Sequence, residues 1–279
     1  VANKSGKHVD KTHLSIDTAE QRGFIHRDYI AHCLRWTYVV KYLQAKQRYK
    51  TARVLDIGCG REVPLAKTLY SSRLIVDKYV GIDVNVLSVP DTFHTGRFPI
   101  KLFSGDFVEL DLDAIGFRPT LATCFEVLEH VEPSHAIAIC DHTHDLLADD
   151  GRFIMSTPNW DPRVGAAANH VNEMKHTALG SMLEFHGWYV EDVFGTFASI
   201  RDYKDILFSQ YPGSEKIFRH LRDYYDVNFL AVIFAPLFPD LARNCLWVLR
   251  KRVPEDNYFF KWPDIPWTSS SQWEDLSHG

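Results

Sequence analysis

The stretch RVLDIGCGREVPLAKTL, Arg53 to Leu69, constrains this chain more than any other. Val54, Leu55 and Ile57 form the apolar run of a buried strand. Gly58 and Gly60 make a tight turn, and Val63 to Tyr70 reads as a helix. A strand, a glycine turn and a helix in that order open a parallel sheet covered by helices. The glycines let backbone approach a ligand beyond the strand end. A dinucleotide turn would run on to a third glycine beside the pyrophosphate. Here Glu62 and Val63 stand in its place, and the Glu62 carboxylate opposes a pyrophosphate by charge. The turn suits a ligand without phosphate.

The remaining chain repeats the alternation. Strands are predicted at YVGIDV, IKLFSGD, TLATCFEV, GRFIMSTP, WYVEDVFGTF and NCLWVLRK. Helices are predicted at EHVEPSHAIAICDHTHDLL and KHTALGSMLEFHG. Before the first strand, Phe24, Ile30, Cys33, Leu34, Tyr38, Val39 and Leu43 recur near helical spacing, so residues 1–50 are expected to form an N-terminal helical cap. The main domain is expected over 51–252. Within it, 196–243 is an aromatic-rich helical insertion, long for a connection between strands and expected as a lid over the acceptor side. Arg201, Arg219, Arg222 and Arg243 offer a local anion site there. The tail, 253–279, is expected to be irregular and packed on the body.

Composition narrows the function. A formal net charge of −5 over 279 residues argues against a broad duplex-binding surface. The cysteines, Cys33, Cys59, Cys124, Cys140 and Cys245, are odd in number and include no C-x-x-C pair, which excludes a disulfide framework and a zinc-thiolate motif. The polar N-terminal residues carry no apolar signal core, and a reducing, cytoplasmic setting is expected. The longest apolar run, Phe229 to Phe238, is too short to span a bilayer.

Acidic residues close the first three strands. Asp56 lies in the first, Asp83 ends the second 27 residues later, and Asp106 follows the third. A carboxylate at Asp83 can accept both hydroxyls of a ribose, and one at Asp106 can meet an adenine amino group. VLDIGCG, YVGIDV, LFSGD, TCFEVLEHV and LLADDGRFIMSTPN, taken in order, resemble the class I S-adenosylmethionine-dependent methyltransferases over roughly Thr51 to Gly195. The resemblance implies an α/β, doubly wound, seven-stranded Rossmann-like sheet with its last strand antiparallel and a helical insertion before it. It implies S-adenosyl-L-methionine as cofactor. Asp56, Gly58, Cys59 and Gly60 are then expected at the methionine part and ribose, and Asp83 and Val84 at the ribose end. Asp106 and Phe107 are expected to flank adenine, with Cys124 and Phe125 close to the sulfonium.

FEVLEHV bears most directly on the chemistry. If helix begins near Glu126, then Glu126, Glu129 and His130 share one face. Downstream, NHVNEM supplies His170. The arrangement resembles the O-methyltransferases of quinone biosynthesis, with their E-V-L-E-H-V followed by S-T-x-N. It is also similar to the small-RNA 3′-terminal 2′-O-methyltransferases, whose two glutamates and two histidines bind magnesium. That second resemblance implies a metal set of Glu126, Glu129, His130 and His170. The expectation preferred here is metal-free, with His170, Glu126 and His130 as the catalytic group and His170 as base or acceptor-orienting residue. The acceptor is expected to be a hydroxyl or amine of a small molecule; a nucleic-acid end and a non-catalytic cofactor-binding module are the alternatives. His142 and His144 read as solvated surface.

Overall fold

The computed structural model describes residues 27–46, 51–85, 87, 96–258 and 260. Helix α1 (Arg27–Lys46) precedes β1 (Ala52–Ile57), α2 (Pro64–Ser71), β2 (Val76–Asp83), β3 (Ile100–Ser104) and β4 (Leu121–Phe125). There follow α3 (Pro133–Leu146), β5 (Arg152–Pro158), α4 (His176–Phe185) and β6 (Trp188–Ala198). Helices α5 (Ile200–Gln210), α6 (Ser214–Tyr224) and α7 (Val227–Ile233) lead to β7 (Ala242–Lys251). The sheet order is β3-β2-β1-β4-β5-β7-β6, with β7 antiparallel to both neighbours. This is the doubly wound, seven-stranded arrangement expected, insertion included.

Alternation along the strands divides the core into two layers. Leu55, Ile57, Phe153, Met155 and Trp247 point to one face, where Ile139 of α3, Leu179 of α4 and Tyr203 and Leu230 of the insertion cover them. Val54, Ile154, Leu246 and Val248 point to the other, covered by Val39 and Leu43 of α1 and Leu65 and Leu69 of α2. Prolines at the first positions of α2 and α3 start those helices where no backbone donor is needed.

Two expectations need correction. The helix drawn through Glu126 does not form: Glu126 has φ +57°, Leu128–His130 is a single 3-10 turn, and α3 begins only at Pro133. Glu126, Glu129 and His130 therefore share no helix face. His142 and His144 are half-buried, the first edge-on to Phe107 and the second to Trp188, so neither is solvated surface. The insertion packs partly on itself and partly against β6: Tyr203 stacks on Phe238 at 5.5 Å, and its hydroxyl donates to the Leu230 carbonyl. The expected helix reaching back to Glu20 has its first residues outside the described ones. The tail's residues 253–258 form neither helix nor strand, Arg250 grips Asp256 at 2.6 Å, and the rest of the tail after 260 lies outside the described residues.

Candidate active site

Strand order reverses at β1, and a cleft of about 610 Å³ opens at the C-terminal ends of β1, β2 and β4. That volume lies in the range of about 300–1,000 Å³ usual for small-ligand sites. Gly58 has φ +70°, and a Cβ there would sit 2.2 Å from Val127 of the β4 turn, so only glycine brings the two turns together. Val63, at the place of a third glycine, also takes a left-handed backbone at φ 45° and is fully buried. The chain keeps the bend that glycine would give and adds a core contact. Glu62 pairs with Lys67 at 2.7 Å.

The acidic residues of the cofactor end are held by their neighbours. Asp56 accepts from the Tyr79 hydroxyl at 2.5 Å and the Thr123 hydroxyl at 2.7 Å. Burial nevertheless pushes its pKa up to about 6, and the Asp83 charge adds to the rise. Asp83 accepts from the Gly60 amide at 2.9 Å and from Asn85, fixing the carboxylate at the cleft. Val84 is exposed beside it. Asp106 and Phe107 line the far side, where Asp106 accepts from the Val108 amide and His135. Cys59 lines the turn, its thiol raised by burial and by Asp56 and Asp83. Phe125 lines the cleft, but Cys124 is buried in the core and is not among the lining residues, because alternation along β4 turns it to the α3 side. The glycine cradle and acidic rim fit a ligand carrying positive charge and no phosphate.

The opposite end is assembled from distant segments. The loop Asn159 to Met174 closes on itself by a bridge between those two residues. It zips to the 3-10 turn: Val171 and Asn172 amides donate to the Glu129 carbonyl at 2.8 and 3.2 Å. This sets His170 edge-on to His130 with ring centroids 4.9 Å apart. His130 Nδ1 donates to the Asn169 carbonyl at 3.1 Å, and His170 Nδ1 donates to the buried Glu173 carboxylate at 2.5 Å. Each ring therefore keeps Nε2 as its second nitrogen, and His130 Nε2 lies 3.9 Å from Glu129 Oε1. Burial, with His170 nearby, lowers the His130 pKa. Glu129 is fully buried; burial first, and then the Glu126 charge, raise its pKa well above the carboxylate range.

Glu126 is held apart from this group. Its carboxylate accepts from Ser156 at 2.8 Å and from Asn244 through both oxygens, and pairs with Arg35 of α1 at 3.2 Å. Burial pushes its pKa up, but Arg35, His32 and these hydrogen bonds outweigh it and leave the carboxyl below its usual value. Glu129, His130 and His170 each offer a ligand atom, all within 4.8 Å of one another, and Glu126 is not in that group.

Arg35, Trp36, His135, Asn244 and Phe197 line the cleft without having been picked out from the sequence. A signal existed for Arg35: Ala31, Arg35, Val39 and Leu43 are the buried positions of α1, spaced by four, with a charge in an apolar stripe. Of the arginines expected at the insertion only Arg243 lines the cleft, and it is paired with Asp161. Arg219 pairs with Glu215 at the surface. No residue between 198 and 242 is part of the cleft wall.

The family described as "Methyltransferase domain" matches residues 30–233. No curated protein matches the sequence significantly. Among solved structures, magnesium protoporphyrin IX methyltransferase from Synechocystis PCC 6803, with bound S-adenosylhomocysteine, is 14% identical with a TM-score of 0.53; the match covers 90% of this chain and 96% of that one. The small RNA methyltransferase HEN1 is 18% identical with a TM-score of 0.53, over 82% of this chain and 26% of that one. The 1,6-didemethyltoxoflavin-N1-methyltransferase of Burkholderia thailandensis is 17% identical with a TM-score of 0.49, over 78% and 79%. At these identities the likeness is one of fold.

Proposed function

The chain belongs to the methyltransferase domain family and takes its methyl group from S-adenosylmethionine, and on that premise we propose that it methylates a hydroxyl of a small molecule, with His170 as base. One observation carries the reading: the buried Glu173 carboxylate holds His170 Nδ1–H, which orients the ring and leaves Nε2 to accept a proton at the cleft. An amine acceptor needs no such base, whereas a hydroxyl must lose its proton as it attacks. The cofactor supplies a methyl group activated on sulfur. Asp83, Asp106 and the Gly58–Gly60 turn bind and orient it. His170 Nε2 would take the proton of the acceptor hydroxyl as its oxygen turns nucleophilic toward the cofactor's methyl group. Glu173 then faces an imidazolium and stabilises it. The resemblance of E-V-L-E-H-V to quinone-biosynthesis O-methyltransferases supports a hydroxyl acceptor. Trp36, Phe125 and Phe197 in the wall support a small, partly apolar one. Arg35 and Arg243 are both engaged by carboxylates, which argues against a phosphate backbone as their partner.

The convergence of Glu129, His130 and His170 favours a second reading, a divalent ion polarising the acceptor hydroxyl. The donors fit one: both histidines are oriented through Nδ1 by a second group, the usual arrangement behind a ligating Nε2. Two nitrogens and one oxygen suit manganese, iron or zinc better than magnesium. Glu129 would have to give up its proton to ligate, so binding would tighten as pH rises. A single assay separates the readings. On the base reading, His170→Ala lowers turnover by about 10²–10⁴-fold, with S-adenosylhomocysteine binding unchanged and no effect of a chelator. Loss of activity on chelation, restored by a divalent ion, would replace it with the metal reading; Glu129→Gln and His130→Ala should then be as damaging as His170→Ala.

A further inference from the structure

Helix α3 supports the turn after β3 with one face. His135, Ile139 and His142 are spaced by four and three, so they line up along the helix. His135 Nε2 lies 3.0 Å from Asp106 Oδ1, and since the partner is a carboxylate oxygen, Nε2 carries the hydrogen and donates. The Val108 amide donates to the same oxygen at 2.9 Å. His142 meets the Phe107 ring edge-on at 6.2 Å. His135, Ile139, Asp106 and Phe107 all line the cleft. Asp106 is thus held on one oxygen only, by a backbone donor from its own turn and a side-chain donor from a different element. Among the described residues Oδ2 receives no hydrogen bond.

We propose that His135 is a positioning residue for the cofactor's adenine: by holding Asp106 Oδ1 it turns Oδ2 toward the six-amino group and makes the site prefer a 6-amino over a 6-oxo purine. The proposal rests on Asp106 facing the adenine amine. A carboxylate oxygen can accept from an amine but meets a 6-oxo group as acceptor against acceptor, so the preference depends on where Oδ2 points. With the Val108 amide alone on Oδ1 the carboxylate can still rotate about its side-chain bond. The second donor removes that freedom before the ligand arrives.

Titration calorimetry with S-adenosylhomocysteine and its deaminated analogue S-inosylhomocysteine tests this, because the two ligands differ only at purine position six and in the proton that the 6-oxo form carries on N1. The wild-type chain should prefer the adenosyl ligand by at least about tenfold, the lower bound for a charged hydrogen bond. Asp106→Ala should bring the ratio close to one. His135→Ala should lower it to about threefold or less, and His135→Gln, whose amide keeps a donor at similar reach, should restore it. Should His135→Ala not fold, His135→Leu keeps bulk without a donor and takes its place. If the donor-less variant keeps the wild-type ratio while Asp106→Ala loses it, Asp106 reads the amine and the role of His135 is overturned, even where both affinities fall together. If the wild type and Asp106→Ala show the same ratio, Asp106 does not read the amine, and both readings are overturned.

Discussion

The two ends of the cleft are built in opposite ways. At the β1–β3 end two of the three carboxylates are held by an adjoining turn or strand, Asp83 by Gly60 and Asn85 and Asp56 by Tyr79 and Thr123, while Asp106 adds a donor from α3, His135. At the β4–β5 end the groups come from far along the chain. Glu126 is held by Arg35 of α1, Ser156 of β5 and Asn244 of β7, and His170 arrives on a long loop zipped to the Glu129 turn. The first end is a local construction on the sheet and can bind a cofactor shared by many enzymes. The second is a network of charges drawn together from α1, β5, β7 and a long loop.

That contrast is tested most severely at Arg35, which is 2% exposed and sits opposite Glu126. Arg35→Met should destabilise the fold by about 3 kcal/mol, the lower end for a buried pair, because it leaves the half-buried Glu126 carboxylate without its cation. Adding Glu126→Gln should recover most of that loss, since no uncompensated charge then remains. Urea unfolding of the two single variants and the double variant measures the coupling. A double variant as unstable as the sum of the singles would mean that the acceptor end is not held together by this pair.

The same contrast explains what could be read from the chain. Gly58, Asp83 and Asp106 sit at strand ends in fixed order, and strand ends are where a parallel sheet exposes backbone, so short-range pattern located them. Glu129, His130 and His170 could be named, yet the shared helix face proposed for Glu126, Glu129 and His130 does not exist. Glu126 adopts φ +57°, a conformation no periodicity reports, and its side chain is drawn to Arg35. Arg35 itself passed unnoticed because Ile30, Cys33, Leu34 and Tyr38 mask the true buried stripe of α1, and these four are only partly buried. The aromatic insertion is expected as a lid from its length, its aromatic residues and its arginines, of which Arg243 lines the cleft. Its rings pack on one another, as Phe208 against Phe218 at 5.4 Å shows, a pairing across two helices that no single-helix spacing reports.

The corresponding change at the cofactor end should be gentler on the fold and sharper on the ligand. Asp83→Ala removes the carboxylate expected to accept the ribose hydroxyls. S-adenosylhomocysteine binding should weaken by roughly 1.5–3 kcal/mol, the range for charged hydrogen bonds. Calorimetry gives the number directly. Unchanged affinity would show that the ribose is held elsewhere and that the end read as local is not.

The effect expected at Asp56 concerns pH, and it is read as a slope between about pH 4 and about pH 6. Its folded pKa of about 6 stands above the ordinary aspartate value because burial disfavours the charge, despite the Tyr79 and Thr123 hydroxyls. A carboxyl raised in this way binds its proton more tightly in the folded chain than in the unfolded one. Stability therefore falls as pH rises from the ordinary value, about 4, through about 6, and above that the cost is fully present. Asp56→Asn has no proton to lose and should abolish this slope. Relative to the wild type, it should gain up to about 3 kcal/mol between pH 4 and pH 7, two pKa units at about 1.4 kcal/mol each. Parallel urea curves at several pH values make the comparison, with the slopes rather than the absolute stabilities compared, since the amide also changes the hydrogen bonds to Tyr79 and Thr123. Identical slopes would show that the two hydroxyls hold the carboxylate ionised. The charge at the foot of the glycine turn would then cost the fold nothing, and the cofactor end would owe its acidity to hydrogen bonding alone, as Glu126 does only with the help of an arginine.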